Sequence, residues 1–538
     1  MSLPPLNFPY VIAAAAPLIV VLYLMIFRNW GGSKAGPAGW LTAIIVSVLI
    51  FGAGPKLLFV ATGRSLLLAF FVLYIIWMAL LLYHVVDEAG AIEVIGQELP
   101  GLAYDPPSQA LLLGWVFGSF LQGASGFGVP AAVVAPLLVG LGFPANSAVV
   151  IALVGHAWAV TFGSLGSSFF SLIAASEISG EILAGPSALL LGLCCILCGL
   201  AVLWETGRQA ALGSKWGELI GIGIIMGAVQ FVLAIAGLWS LAAFGAGIAG
   251  LVAMIIDLRI GLFNAKAWRA RLTRRSIGIK AGESPVSGRL ASHPQMNSSA
   301  LAKASVPYLL LIIVVVLGQL AFQEPLSVLI VDPHFPEVNT SFGWLTPAGP
   351  GRSISLLGHA GALLMYTSLL SFLWFRWRGT FREGEDYSGQ LIAIKTVKGS
   401  IKSTIGIVTL VAMAVTMQLA GMTQLLAQAL SAATGPLFPF LSPIIGALGA
   451  FMTGSNTNSN VVFGQLQLET ATALGLSVAV ILAAQTAGGA IGSLFAPAKV
   501  IVGASTVDGA SDSLILRKAL TYGLVIIAIL GLVVWLVV

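Results

Sequence analysis

Long apolar runs with almost no charge are the feature that most restricts how this chain can fold. Residues 65–207 contain no Lys or Arg, and residues 403–498 contain a single charged side chain, that of Glu469. Only 8% of all residues are charged and 58% are hydrophobic, whereas soluble domains carry roughly 25% charged residues. Such a chain cannot cover a water-facing surface, so it is predicted to fold within a membrane. A nucleic-acid partner is excluded, because the net charge is only +5 and the basic residues lie between apolar segments.

Apolar runs of about 20 residues, long enough to cross a bilayer as helices, recur along the chain. Two further apolar stretches, about 109–141 and 437–468, are interrupted by Gly-rich or Asn-rich segments and are predicted to be re-entrant hairpins. The predicted fold class is therefore an all-α polytopic membrane protein with two hairpins and about 12 transmembrane helices. The predicted crossings are 10–27, 39–55, 65–86, 145–175, 187–204, 219–237, 239–258, 305–322, 351–375, 399–421, 475–503 and 518–538.

The charges between these runs predict the orientation of the chain. Residues 259–304 carry nine Lys and Arg against one acid, Glu283, and the positive-inside rule places this segment in the cytoplasm. Its mixture of Ser, Gly, Lys and Arg indicates a flexible linker without a core of its own. Counting crossings outward from the linker places a predicted loop at 205–218, with Arg208 and Lys215, in the cytoplasm, and the basic stretch 376–402 as well. The segment 323–344 falls outside.

Two regions of the sequence resemble each other at a nearly constant offset. Gly123 and Gly163 in the first region correspond to Gly454 and Gly492 in the second, at offsets of 331 and 329 residues. Under the crossing count, the first hairpin enters the membrane from the cytoplasm and the second from outside, so the repeat is inverted. Inverted repeats with broken helices near the midplane are typical of secondary transporters. Glycines that merely kink tightly packed helices are the alternative.

Hairpin tips and helix breaks expose backbone N–H groups that carry partial positive charge. Two tips that meet near the bilayer midplane can bind an anionic group without a full cationic side chain. Irregular backbone is tolerated at that depth only where protein or a water-filled cavity receives its polar groups. We therefore expect an anion site where the two repeats meet.

Several side chains near these breaks can contribute to such a site. The run Ser455–Asn460 presents six uncharged polar side chains at a predicted tip, and these can replace water around a carboxylate or an ion. Lys499 follows the second break and can meet a carboxylate, with snorkelling to the interface as the alternative. The residues expected to bind substrate are Gly123, Ser125, Gly126, Gly163, Ser164, Ser455, Asn456, Thr457, Asn458, Asn460, Gln467, Gln485, Gly492, Ser493 and Lys499.

Two residues are candidate proton carriers. His156 lies inside an apolar span, seven residues before Gly163, and histidine changes charge near neutral pH. A histidine that only packs between helices is the alternative. Glu469 is the second candidate, and its alternative is a position at the outer end of the hairpin.

No metal or other cofactor is expected from the sequence. The three cysteines, Cys194, Cys195 and Cys198, lie together in an apolar stretch. A metal site would need further Cys, His or carboxylate ligands nearby. Small apolar packing is the preferred interpretation of these thiols.

The motifs of both repeats resemble the lactate permease family. The resemblance rests on Gln122-Gly-Ala-Ser-Gly-Phe-Gly-Val-Pro-Ala-Ala, on Phe162-Gly163-Ser164 and on Gly454-Ser-Asn-Thr-Asn-Ser-Asn-Val-Val-Phe-Gly-Gln-Leu-Gln. Gly488-Gly489 and the region of Pro497 also fit, so the resemblance covers most of the chain. It implies a proton-coupled importer of 2-hydroxymonocarboxylates such as lactate and glycolate, in the plasma (inner) membrane.

The triplet Ser455-Asn456-Thr457 is also similar to hairpin-tip motifs of the divalent-anion:sodium symporters. That similarity implies a scaffold domain and a transport domain, elevator motion and a homodimer. His156-Ala157 and Lys499 depart from the family pattern, which leaves the preferred substrate open.

The expected segments are scaffold helices at 1–108, the first hairpin and broken helix of the transport domain at 109–175, further helices at 176–258, the cytoplasmic basic linker at 259–304, scaffold and connecting helices at 305–435, the second hairpin and broken helix of the transport domain at 436–504, and a C-terminal helix at 505–538.

Other classes of protein explain less of the sequence. Gly123-Ala-Ser125-Gly126 fits a rhomboid-type intramembrane serine protease, with His156 or His359 as base. That class needs only about half as many helices and leaves the second repeat unexplained. Gly126-Phe127-Gly128 faintly resembles a potassium-channel filter, but it occurs once, and an inverted repeat does not suit a four-fold pore. Coupling to Na⁺ instead of H⁺ stays open.

Overall fold

The computed structural model describes residues 5–28, 30–126, 128–263, 298–381 and 385–538, which are predominantly helical. Most of the predicted linker at 259–304 lies outside the described residues. Among the described residues, nine helices are long and apolar enough to cross a membrane. The chain is therefore a helical, multi-pass membrane protein. The predicted twelve crossings, the re-entrant hairpins and their inverted arrangement are finer statements that stay predictions.

The chain begins with helices that pack against one another before the first repeat. Helix α3 is 34 residues long, longer than a bilayer crossing requires, and its last turn carries Asp87 and Glu88 beyond the apolar stretch. Pro55 is the first residue of this helix. The missing N–H of proline costs nothing there, because the first N–H groups of a helix have no partner within the helix. The bounds are α1 (Phe8–Phe27), α2 (Gly32–Leu49), α3 (Pro55–Glu88) and α4 (Ala91–Glu98).

The first repeat consists of a helical hairpin and a broken helix. Gly126 and Gly128 adopt positive φ between the arms of the hairpin, a conformation that glycine reaches without strain. The first arm is continuous through α5 (Pro106–Gln109), a π-helical segment (Ala110–Phe117) and α6 (Gly118–Ala124), and the second arm is α7 (Val129–Gly140). The broken helix consists of α8 (Ala145–Gly155), a 3-10 turn (Ala157–Val160) and α9 (Gly163–Ser176).

Helix α10 (Gly180–Ile235) contains two of the predicted spans. The backbone is non-helical only at Gly207 and Arg208, where the chain reverses. A Cβ on Gly192 would therefore lie 3.7 Å from the Cα of Gly227 on the other arm. The prediction of a loop over 205–218 is wrong, because its Ala, Glu, Gln and Leu residues are good helix formers and two residues suffice for the turn.

The helices on both sides of the linker pack against one another and against helices described above. The second arm of α10 packs against α11 (Ala242–Ile260), which follows a 3-10 turn (Trp239–Leu241). After the undescribed residues come α12 (Ser298–Val316), a π-helical segment (Leu317–Ala321) and α13 (Gln323–Leu326), and then α14 (Ala360–Arg378), α15 (Glu385–Leu419) and α16 (Met422–Thr434). Helix α15 packs along α2 and α3, and α14 packs against α3 and α12.

Residues 330–355 form an antiparallel ladder of six short strands, which the prediction of an all-α chain missed. The pairs are β1 (Ile330–Val331) with β6 (Ile354–Ser355), β2 (His334–Phe335) with β5 (Gly349–Pro350), and β3 (Val338–Asn339) with β4 (Leu345–Thr346). The span predicted at 351–375 is wrong at its start, since the helix begins only at Ala360. Pro and Gly in this segment disfavour helix.

The strand ladder covers one end of the helical bundle. The backbone N–H of Ser341 donates to the carbonyl of Gly52 at 2.9 Å, and the Arg64 guanidinium carbon lies 5.4 Å from the centre of the Phe335 ring. At the other end, Lys215 lies 3.3 Å from Asp105. The orientation of these two ends in the membrane stays a prediction.

The second repeat also consists of a hairpin and a broken helix. Gly454 adopts positive φ between the arms of the hairpin, and Ser455 caps the second arm. The arms are α17 (Phe438–Thr453), preceded by a 3-10 turn (Gly435–Leu437), and α18 (Asn456–Ala473). The broken helix consists of α19 (Val478–Gly492), a 3-10 turn (Ser493–Phe495) and α20 (Pro497–Ala504), and α21 (Asp512–Val537) ends the chain.

Glycines bring the second hairpin into direct contact with α19. A Cβ on Gly488 would collide with the backbone of Pro443, and a Cβ on Gly446 would collide with the carbonyl oxygen of Gln485. Small residues allow this approach between helices in a membrane, where packing rather than the hydrophobic effect drives association. The position of the hairpin against α19 therefore depends on these glycines.

We expect Gly488→Ala to lower the melting temperature of the detergent-solubilised protein, because overpacking costs about 1–3 kcal/mol. The control is Gly213→Ala, since a Cβ at Gly213 meets nothing within 4 Å. Size-exclusion chromatography after heating measures both variants. Equal melting temperatures for the two variants would contradict the packing argument.

Candidate functional site

Side chains from the two repeats meet at the break of the first broken helix. The side-chain amide of Asn456 donates to the hydroxyl of Thr161 at 3.1 Å and to that of Thr486 at 3.3 Å. The two threonine hydroxyls lie 3.2 Å apart, and all three side chains are buried. Thr161 belongs to the first repeat, whereas Asn456 and Thr486 belong to the second.

A second set of contacts extends this arrangement along α9 and α18. The amide of Asn460 donates to the carbonyl of Ser168 and to the hydroxyl of Thr486, both at 2.9 Å. The hydroxyls of Ser168 and Thr457 lie 3.0 Å apart. Together with the first set, these residues form the inter-repeat cluster, whose members are Thr161, Ser168, Asn456, Thr457, Asn460 and Thr486.

The local sequence explains why the cluster forms at the start of α18. The Ser455 hydroxyl accepts a hydrogen bond from the backbone N–H of Asn458 at 3.4 Å, as is typical of a residue at a helix N-cap. Asn456 and Asn460 are four residues apart, and Thr457 and Asn460 are three apart, so their side chains share one helix face. The free N–H groups of the first turn add partial positive charge at the same place.

The cluster combines donors and acceptors without any charged side chain. The side-chain oxygens of Asn456 and Asn460 are buried and have no hydrogen-bond partner among the described residues. An unpaired buried polar atom costs about 1–3 kcal/mol, so these oxygens are available to a donor on a bound molecule. Hydroxyls, amides and a helix N-terminus suit a small anion that also carries a hydroxyl group.

The backbone at the first break is strained. Ser164, Leu165 and Gly166 have φ values of 48°, 57° and 85°, and the left-handed region is costly for residues other than glycine. The first hairpin packs on this break, because a Cβ on Gly126 would collide with the Ser164 hydroxyl. Strained backbone of this kind clusters at functional sites, which is consistent with the predicted role of the break.

Both hairpin tips lie against the same short helix, α20. A Cβ on Gly128 would lie 3.5 Å from Val502, and a Cβ on Gly454 would lie 3.5 Å from Ala498. These two contacts are four residues apart on α20, which is about one helical turn. The tips of the two hairpins are therefore neighbours.

The predicted site residues divide into four groups. Asn456, Thr457 and Asn460 lie in the inter-repeat cluster. The predicted positions at the hairpin tips and breaks mainly support close packing or capping, and these are Gly123, Ser125, Gly126, Gly163, Ser164, Ser455, Asn458, Gly492 and Ser493. Within this group, the Ser125 hydroxyl donates to the Leu121 carbonyl of its own helix at 2.8 Å, which leaves no sign of a nucleophile paired with histidine.

Gln467 and Gln485 form a separate network inside the second repeat. The amide of Gln467 donates to Gln485 Oε1 at 2.9 Å, and the amide of Gln485 donates to the Ser459 hydroxyl at 3.0 Å. Both glutamines are fully buried. These bonds join α18 to α19, so their visible role is to hold the hairpin on the broken helix, and a role in substrate binding stays a prediction.

The three ionisable candidates are not members of the cluster. His156 Nδ1 lies 2.6 Å from the Ala152 carbonyl oxygen, in a buried position. Lys499 Nζ donates to the Ser493 hydroxyl at 2.8 Å. Glu469 accepts a hydrogen bond from Gln465 at 2.8 Å, and its role as a proton carrier stays a prediction.

Thr161, Ser168 and Thr486 were not predicted from the sequence. Single hydroxyls within apolar helices are common and often bond to their own backbone, so none of them is distinctive alone. Thr161 stands two residues before Gly163 and Thr486 two residues before Gly488, but the same Thr-x-Gly pattern also occurs at Thr404 and Thr521. The pattern therefore does not single these residues out.

Comparison with known proteins shows which family this chain is similar to. A family model described as L-lactate permease matches residues 10–538. The L-lactate permease of Bacillus subtilis is 27% identical over 530 residues, which cover 92% of this chain and 90% of that protein. The glycolate permease GlcA of Escherichia coli is 25% identical over 552 residues, which cover 97% and 94%. Among solved structures, the YdaH transporter of Alcanivorax borkumensis aligns with 88% of this chain and 86% of that chain, at 15% identity and a TM-score of 0.45.

We expect a disulfide to form across the repeats in the double variant Thr161→Cys, Thr486→Cys, because the two hydroxyl oxygens lie 3.2 Å apart and a disulfide needs short side-chain separations. A protease site inserted within residues 264–297 separates the halves of the chain. After mild oxidation and cleavage, the double variant should run as one band on a non-reducing gel. Each single variant is the control, and two bands from the double variant would contradict the geometry.

Proposed function

Because this chain belongs to the L-lactate permease family, we propose that it imports L-lactate, glycolate or a related 2-hydroxymonocarboxylate in symport with protons. Relatives described as L-lactate and glycolate permeases align with more than nine-tenths of the chain. Membership makes the protein a transporter and not an enzyme. The plasma membrane, which is the inner membrane where a bacterium has two, is the proposed location.

The inter-repeat cluster is the single observation that carries this proposal. Amide and hydroxyl groups of Thr161, Asn456 and Thr486 lie at the junction of the two repeats, beside the N-terminus of α18. These groups donate to one another in this structure, and on substrate binding they would exchange these bonds for bonds to the carboxylate. The unpaired oxygens of Asn456 and Asn460 would accept from the 2-hydroxyl of the same molecule. Apolar acids without a hydroxyl would leave these oxygens unpaired, which argues for hydroxy acids.

Proton coupling is proposed because the side chains of the inter-repeat cluster are uncharged. An anion in an uncharged site would carry its charge through the apolar layer at a high energetic cost. Binding a proton nearby removes that net charge. His156, five residues before Thr161 on the first broken helix, is the proposed proton carrier, because its imidazole titrates in the physiological range when accessible.

Alternating access by an elevator motion is the proposed mechanism. The inter-repeat cluster joins α9 to α18 and α19, so these elements are suited to move as one transport domain. Helices α3 and α15, from the proposed scaffold, contact α9 and α18 respectively. The space between them is lined mainly by small and aliphatic side chains such as Val72, Ala174 and Val461, and none of the ion pairs among the described residues crosses it.

We expect Asn456→Ala to reduce uptake of labelled L-lactate by at least tenfold while expression is unchanged, since the loss of a hydrogen bond to a charged group costs about 1.5–3 kcal/mol. Thr472→Ala is the matched control, because Thr472 is exposed on the same helix and bonds only to the Leu468 carbonyl. Uptake into proteoliposomes with an imposed pH gradient measures both variants. Wild-type activity in Asn456→Ala would remove Asn456 from the site.

We expect His156→Ala to flatten the pH dependence of L-lactate uptake, because the group that binds the coupled proton is lost. Initial rates between pH 5.5 and 8, with Na⁺ replaced by choline, report on the coupling. His334→Ala is the control, since His334 lies on an exposed strand. An unchanged pH profile would rule out His156, and uptake that depends on Na⁺ instead of the pH gradient would overturn proton symport.

A further inference from the structure

A groove of about 540 Å³ lies between α3, α14 and the first turns of α15, in the proposed scaffold. Its lining includes Leu81 and Val85 on α3, Leu369 and Phe372 on α14, and Ile392 on α15. Leu369 is 57% exposed, so the groove is open to its surroundings, which are lipid around an apolar helix that crosses a membrane. Sites of roughly 300–1,000 Å³ hold small organic molecules, and this groove therefore has room for a ligand.

The groove offers a ligand apolar contacts but no free hydroxyl group. The hydroxyl of Tyr366 donates to the Leu357 carbonyl at 3.3 Å, and that of Ser368 donates to the Leu364 carbonyl at 2.7 Å. The other residues that line the groove are aliphatic residues, a phenylalanine, a methionine and a glycine. A polar molecule would lose its hydrogen bonds to water here without gaining new ones. The groove therefore suits a hydrocarbon chain and not a hydroxy acid.

The end of the groove that is predicted to face the cytoplasm carries residues typical of a membrane interface. Trp374 and Trp377 follow Phe372 on α14, and tryptophan is enriched where the apolar core of a bilayer meets the headgroups. The guanidinium carbon of Arg378 lies 4.7 Å and 4.6 Å from the centres of these two rings. Arg378 is about 9 Å beyond Phe372 along the helix. A cation is thus held at headgroup level beside the groove.

Positive charge prevails around this end of the groove. Residues 376–402 contain six Lys and Arg against three acids. Lys395 is paired with Glu88 at 3.0 Å, whereas Arg378 takes part in none of the ion pairs among the described residues. Lys398 on α15 is exposed. Basic residues between helices on the cytoplasmic side of a membrane bind anionic headgroups, so the charge at this end favours an anionic ligand.

We propose that the groove binds an acyl chain of an anionic phospholipid, whose phosphate contacts Arg378. The chain supplies the dispersion contacts that the groove would otherwise lack. The planar guanidinium can donate two parallel hydrogen bonds to a phosphate, and its position over Trp374 and Trp377 orders it before the lipid arrives. The bound lipid contacts α3, α14 and α15 together, so it holds these helices of the proposed scaffold against one another.

A second copy of the chain is the alternative occupant of the groove. In a symmetric dimer the same surface patch of both copies forms the contact, and two copies inserted in the same direction bring their basic ends to the same membrane surface. Like charges across an interface are unfavourable, whereas a lipid phosphate neutralises them. A second copy would also show no preference between lipid headgroups, which separates the two occupants by experiment.

The first test measures lipid binding to the purified, delipidated chain by native mass spectrometry. Dioleoyl phosphatidylglycerol is the anionic probe, and dioleoyl phosphatidylcholine is the probe without net charge. We expect the wild type to bind phosphatidylglycerol about fivefold more tightly, and Arg378→Gln to lose that preference, because one Lys or Arg near an anionic surface contributes this much. Arg517→Gln is the matched control, since Arg517 is exposed on α21, which packs against α8, α10, α17 and α19.

The second test fills the groove. Ala393 lines it and is exposed, so Ala393→Trp should abolish binding of both probes at this site. Ile394→Trp is the matched control, because the neighbouring Ile394 is 49% exposed and is not part of the lining. The oligomeric state of each variant is measured in the same spectra.

Each outcome decides the inference. Equal wild-type affinity for the two probes, unchanged binding in Ala393→Trp, or the same loss of preference in Arg517→Gln would overturn it. A wild-type dimer that Ala393→Trp converts to a monomer would also overturn it, because the second copy would then fill the groove. If Ala393→Trp does not fold, the wild type is labelled with phosphatidylglycerol that carries a photoreactive acyl chain. Crosslinks at Leu369 or Phe372 would support the inference, and crosslinks confined to other helices would overturn it.

Discussion

Hydrogen bonding between the repeats, deep in an apolar bundle, is the interaction on which this structure depends. Water is absent from the bilayer interior, so each polar group exposed by a broken helix needs a partner within the protein. The amide of Asn456 finds two such partners, Thr161 and Thr486, and thereby closes the break of one repeat with the tip of the other. The same requirement that stabilises the fold also concentrates donors and acceptors at one place.

Glycine makes this arrangement possible by letting backbones touch. Gly488 and Gly446 bring the second hairpin onto α19, and Gly155 brings α8 onto the backbone of Gly114 in the first hairpin. The two repeats thus use the same packing device around their breaks. The proposed transport segments are therefore closely packed internally, and α3 and α15 contact them from the proposed scaffold.

The sequence predicted the irregular parts of the chain better than the regular parts. Runs of Gly, Asn and Ser marked both hairpin tips and both breaks, because helices cannot continue through them without cost. The reversal at Gly207 and Arg208 was missed, since helix formers surround it and two residues make the turn. The strand ladder was missed as well, because strands of two residues are too short to show alternation.

Local sequence by itself determined that this chain is a membrane protein, that two related segments break twice each, and that Asn456 and Asn460 share a helix face. These properties follow from apolar length, residue type and spacing. Only the tertiary structure decided that Asn456 meets Thr161, 295 positions away, and that Arg352 stands over Phe71. Such pairings depend on how whole helices pack, and an isolated threonine or arginine carries no local sign of the partner that packing will bring to it.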